Sequence, residues 1–421
     1  MTEIEDNYKK TLHPSGIVIL TEKMNNVRAV SLGFWIKIGS RYEPANLSGI
    51  SHFLEHLLFK GSEKFTSKMI SEIFDSMGGV INALTGKEYT CFYTRLIDEK
   101  VERGFEVLAD MLQKPEFLQK EIKKEINVVL EEISLYEDSP DDKIHDFFIE
   151  NLLGNHPLGK TILGKNESVE SFDVKKSLNF FKEHYFPKNM IIAASGNVSH
   201  DLICELVTKY FANNLKKVTV KEKIKHKVKA QNKIYFKDTE QVHMCYGTKA
   251  FPADNPDRYV LTVLDTILGG GMSFRLFQEI REKRGLAYSV YSYHSLYSDT
   301  GIYAVYAGTR PDKAKEVLAI IKKEMFSLTE NVGKEELERA KDHLKGHLVL
   351  SLESSSARMS RLGKSELIYK EIISIDELIK RVEKVTREDI VRVASDLFQP
   401  DKMVLTTIGP LTDKQFTQLT S

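Results

Sequence analysis

The sequence predicts an α+β protein of two similar lobes, each an antiparallel-rich β-sheet with helices packed on one face. Three observations carry that expectation. First, β-rich and helix-periodic stretches follow one another in the same order in both halves of the chain. Second, the 421 residues are 42% hydrophobic and 29% charged, an ordinary globular composition with length for two or three domains. Third, residues 213–232, NNLKKVTVKEKIKHKVKAQN, are lysine-rich, free of aromatic residues and poor in helical periodicity. Such a stretch reads as an exposed linker. The expected boundaries are a first lobe over 1–212, the linker over 213–232 and a second lobe over 233–421.

Element by element, the first lobe opens with GIVILTEKMNNVRAVSLGFWIKIGS, two β-rich runs around a turn at Lys23 to Asn26. A short apolar helix over GISHFLEHLLFKG follows, then a β-rich run, VINALTGKEYTCFYTRLI. A long, highly charged helical region covers roughly 98–135. The second lobe repeats the order. KIYFKDTEQVHMCYGTKAF reads as strands, and DRYVLTVLDTILGGG as a helix ended by glycines. AYSVYSYHSLYSDTGIYAVYAGT reads as strands, and DKAKEVLAIIKKEMFSL and KEELERAKDHLKGHLVLSLES as helices.

Composition excludes several classes. Lysine plus arginine equals aspartate plus glutamate, so no net charge argues for nucleic acid or anionic lipid as a partner. No run approaches the length of about 18 apolar residues that a membrane helix needs. The N-terminus, MTEIEDNYKKTLHPSGIVIL, lacks the basic and apolar regions of a signal peptide. Three cysteines without a CxxC pair suit a reducing compartment. A cytoplasmic protein is the expectation.

The chemistry concentrates in HFLEH. His52 and His56 are four residues apart and share one face of a helix, where two imidazoles meet at one point. Glu55 sits at the edge of that face, within reach of a metal-bound water. Two buried histidines and a glutamate are costly in an apolar helix unless something satisfies them together, and a metal does so. HxxEH is a metallopeptidase pattern. The second-lobe stretch in the same slot, LTVLDTILGGG, has no histidines.

A catalytic zinc takes three protein ligands and leaves one place open. The candidate region for the third is KKEINVVLEEISLYEDSPDD, whose Glu125, Glu131 and Glu132 are expected on a helix. Glu125 and Glu132 share a face and Glu131 points about 100° away. One of the pair suits the metal and the other a supporting role; composition does not choose among the three.

Taken together, HFLEH, NALTGKEYTCFY, EINVVLEEI, NHPLGKTILG, YFPKNMIIAASGNV and LGGGMSFRLFQEIREKRGLAYSVYSY resemble the inverzincin peptidases. That family includes pitrilysin, insulin-degrading enzyme and mitochondrial processing peptidase; the size fits best its bacterial processing-peptidase-like branch. The resemblance implies one Zn²⁺ per chain on His52, His56 and Glu132, with Glu55 as general base and Glu125 supporting the ligands. It implies an edge strand at Asn82, Ala83, Leu84 and Thr85 that holds substrate as an added strand. It further implies that Arg281 and Tyr288 of the second lobe touch the substrate carbonyl; without it they read as a solvated charge and a core aromatic.

The expected function is a zinc-dependent endopeptidase hydrolysing unstructured peptides or leader sequences, zinc-bound water attacking the carbonyl with Glu55 as base. Expected partners are peptide substrates and a second subunit, in a homodimer or a heterodimer with a related chain. The rival reading is a non-catalytic scaffold or substrate-binding subunit. A regulatory zinc module would need a fourth protein ligand, for which Cys91 is the nearest candidate. The same ligands would accept cobalt or manganese.

Overall fold

A computed structural model describes residues 8–211 and 231–420. Most of the expected linker lies outside the described residues, and its last residue, Asn232, already begins a strand.

The first sheet has six strands: β1 (Tyr8–Leu12), β2 (Val18–Lys23), β3 (Ala29–Ile36), β4 (Val80–Thr85), β5 (Thr90–Ile97) and β6 (Met190–Gly196). The second has five: β7 (Asn232–Phe236), β8 (Val242–Ala250), β9 (Ala287–Leu296), β10 (Gly301–Thr309) and β11 (Val404–Gly409). Their orders are β1-β2-β6-β3-β5-β4 and β7-β11-β8-β10-β9. Leaving out β1, the second order is the first with each strand number raised by five. Pairing repeats too: β2 with β6 and β7 with β11 are parallel, and the remaining neighbours are antiparallel. In each case a helix, Ile50–Leu58 or Arg258–Gly269, precedes the hairpin that ends at the sheet edge. The lobes are two copies of one topology.

β2 and β3 flank the expected turn but do not pair, because β6 lies between them. The long charged region is two helices, Val101–Gln113 and Gln119–Asp138, interrupted around Pro115, whose ring removes a donor and fixes φ.

The described residues form two compact units. One takes those within Met1–Ser134, Lys160–Glu222 and Leu350–Ser374, and the other takes the rest. Each unit therefore includes a segment from the opposite half of the chain. In the first unit, the main helical layer packs on the face carrying Phe34, Phe92 and Ile192. The helix Ser355–Lys364 lies on the other face, with Met359 and Leu362 against Leu20, Trp35, Cys91 and Ile191. It comes so close that a Cβ on Gly363 would stand 2.3 Å from the Trp35 ring. Buried Glu22 receives Arg358 and, at 3.1 Å, Arg361 of the same helix.

The second unit uses the helix Pro140–Leu153 in the same way. Ile144, Phe148 and Leu152 pack on Cys245, Ile302, Ala304 and Val404, while Asn151 donates to Thr406 at 3.0 Å. Helices thus cover one face of each sheet as a layer, and a single helix covers the opposite face. This explains why β3, β6 and β10 are apolar almost without alternation: they are buried on both faces.

Candidate metal centre

The Ile50–Leu58 helix buries Ile50, Phe53, Leu54, Leu57 and Leu58 in the first unit's main core. Its start is built by tight backbone. Gly49 has φ of +93°, and a Cβ there would meet Leu163 O at 2.5 Å and Gly164 Cα at 2.9 Å. Gly49 offers no side-chain cap. Glu43 takes that role: its carboxylate accepts the N–H of Gly49 at 2.7 Å and of Ser51 at 2.8 Å. Lys160 donates to the Glu43 carbonyl at 2.7 Å. The motif NHPLGKTILG therefore serves the helix start, through Lys160 and Gly164.

On the polar face, His52 Nε2 and His56 Nε2 are 3.2 Å apart. Glu132 Oε2, from the Gln119–Asp138 helix, is 3.6 Å from each. A tetrahedral ion with bonds of about 2.0–2.1 Å separates its ligand atoms by about 3.3–3.4 Å. The triangle fits zinc. Among the described residues no fourth His, Cys, Asp or Glu joins this group, so a four-coordinate ion held here would have room for one non-protein ligand. Cys91 packs with Trp35 on the opposite face of the sheet.

Surrounding groups orient the donors. Glu125 is buried and accepts from His56 Nδ1 at 2.8 Å, which leaves the His56 Nε2 lone pair free to hold a metal. Its other oxygen meets Lys60 at 2.7 Å. His52 Nδ1 is buried with no hydrogen-bond partner. Burial, then the neighbouring His56, pulls His52 down to about 4, so it is a neutral donor. Burial pulls His56 down too, but the hydrogen bond and charge of Glu125, with Glu132 and Glu55, raise it on balance. Burial pushes Glu125 up, and His56 and Lys60 bring it below its ordinary value.

Glu55 lies beside this group and accepts the Thr85 hydroxyl at 2.5 Å. Burial raises its pKa above the ordinary carboxylate value, against the pull of Thr85 and His56. Glu131 is exposed on the helix.

The Asn82–Thr85 stretch lies in β4, which among the described strands is at the sheet edge and pairs with β5 alone. Asn82 and Leu84 are exposed, and Asn82 Oδ1 accepts the Ala83 N–H at 2.8 Å. In the second unit, Arg281 donates to the Tyr288 carbonyl at 2.8 Å, and its guanidinium lies 4.3 Å from the Tyr288 ring centre. Tyr288 is 77% exposed, so it is no core aromatic.

Three contacts were not legible in sequence: the Glu43 cap, the Lys60 contact and the Thr85 hydroxyl on Glu55. Only Lys60 had a local signal, being four residues beyond His56 and so on the same side of the chain.

Residues 18–166 match the family described as Insulinase (Peptidase family M16), and residues 171–344 match the Peptidase M16 inactive domain. The chain is 41% identical over 397 residues to "Uncharacterized zinc protease YmxG" of Bacillus subtilis, covering 94% of this chain and 97% of that one. It is 39% identical over 420 residues to "Uncharacterized zinc protease SCO5738" of Streptomyces coelicolor, covering 98% and 91%. In fold it is similar to the crystal structure of a protease from Helicobacter pylori, with TM-score 0.90, 23% identity and coverage of 96% and 100%. This chain belongs to the insulinase family of peptidases, M16.

Proposed function

We propose that the chain is a zinc-dependent endopeptidase acting on unstructured peptides or leader sequences. The observation that carries this reading is the triangle of His52, His56 and Glu132 with Glu55 beside it. Family membership and relatives named zinc proteases support it.

One zinc held by the triangle supplies a Lewis acid that polarises a carbonyl and acidifies water. Glu55 takes the proton from the attacking water and delivers it to the leaving amine. Its raised pKa suits a base that must also return the proton. Thr85 fixes the Glu55 carboxylate through one oxygen, leaving the other for that exchange. Glu125 holds the His56 tautomer. The open edge of β4 offers unpaired backbone groups to an extended peptide, so affinity comes with little demand on sequence. Arg281 and Tyr288 are a cation and a phenol of the kind that stabilises an oxyanion; their assignment to substrate rests on the family resemblance. A homodimer, or a heterodimer with a related subunit, belongs to the same proposal, as does work in the cytoplasm.

The test is hydrolysis of a mixed library of unstructured peptides, ~10–30 residues long, lengths suited to strand addition. Cleavage that stops on chelation and returns with zinc is the expected result. A zinc-loaded protein that cleaves nothing would instead favour a scaffold or substrate-holding subunit.

A further inference from the structure

The helix Lys334–Ser351 carries a second histidine pair, His343 and His347, in HLKGH. As in the first pair, the four-residue spacing sets the two rings side by side on one helix face. The ring centres are 4.4 Å apart at an interplanar angle of 49°, against 4.6 Å and 65° for His52 and His56. Every other described histidine has a hydrogen bond or a carboxylate within ion-pair distance. Among the described residues His343 and His347 have neither; their ring neighbours are each other and, for His343, Phe274. The Phe274 ring stands edge-on at 5.4 Å from His343.

We propose that His343 and His347 form a second metal site, which takes a borderline divalent cation such as Zn²⁺, Ni²⁺ or Cu²⁺. Neutral imidazole is the ligand these ions prefer, and two at four-residue spacing on a helix chelate one ion. The nearby lysines are engaged elsewhere: Lys345 meets Glu383 at 2.8 Å and Lys341 meets Glu338 at 3.2 Å.

The site differs from the first in what it lacks. Three residues after His52 stands Glu55; three residues after His343 stands Gly346. No third protein donor joins the pair among the described residues. Water completes the coordination, so binding is weaker than at the three-ligand centre. The second pair binds metal without forming a catalytic centre.

The test is equilibrium dialysis of the full chain against buffered free Zn²⁺ across a concentration series, with metal counted per chain. Wild type is expected to take one more equivalent than His347→Ala or His343→Ala, at higher free zinc than the first equivalent needs. His347 is exposed, so its variant keeps the fold, which circular dichroism checks. Equal uptake by wild type and both variants across the series would overturn the proposal. The difference between variants does not depend on activity, so this result stands apart from the peptidase assay. Glu55→Gln should keep both equivalents.

Discussion

Glu131 and Glu132 are neighbours of identical chemistry, yet helical geometry turns them about 100° apart. Only Glu132 reaches the two histidines; Glu131 faces solvent. Glu132→Ala is therefore expected to lose zinc and Glu131→Ala to keep it, by metal analysis of the purified proteins. Equal zinc in both would contradict the ligand set. Glu125→Gln should retain the ligands but weaken the His56 orientation, and about 10- to 100-fold in zinc affinity is the usual effect of such a change. Chelator competition measures it, and wild-type affinity would count against the supporting role. Residue-level legibility followed distance along the chain. His52, Glu55 and His56 were readable because one helical turn links them. Glu132 could not be separated from its neighbours by composition, since the contact that selects it closes a loop of many residues. Glu43 carried no periodic signal at all, because its partners are backbone groups.

At the scale of elements, the helix that carries HFLEH depends on its start. Burial raises the Glu43 carboxyl from the ordinary 4.5 to about 7, against the two N–H groups that pull it down. Folding therefore favours the protonated acid. The resulting stabilisation is full below pH 4.5 and is lost as pH rises through about 7. A shift of that size corresponds to about 3 kcal/mol. Glu43→Gln cannot titrate, so its stability should fall less than wild type's over that window. Parallel denaturant midpoints for the two proteins against pH would refute this. On the opposite face of the sheet, Gly363→Ala forces a methyl into the Trp35 ring. A loss of about 1–3 kcal/mol is expected from overpacking, read by chemical denaturation; an unchanged midpoint would show that the helix can shift. Helix and strand order was legible from periodicity, whereas strand neighbours were not. Insertion of β6 between β2 and β3 is a long-range pairing that no local pattern announces. The near-continuous apolar runs of β3, β6 and β10 did hold the clue to a second covered face.

Across the whole molecule, the repeated strand order explains both what is shared and what is not. Two copies of one topology place a helix before the edge hairpin in each lobe, but only one helix carries HxxEH. The duplication was visible in the sequence as a repeated order of elements. The exchange of helices Pro140–Leu153 and Ser355–Lys364 between halves was not, because their partners are distant strands. The central claim is that the first copy uses its metal centre for peptide hydrolysis with Glu55 as the base. The direct measurement is turnover of unstructured peptides by wild type and Glu55→Gln side by side, with zinc counted in both. The account predicts equal zinc and near-complete loss of turnover in Glu55→Gln; a zinc-loaded Glu55→Gln that cleaves as wild type does would contradict it.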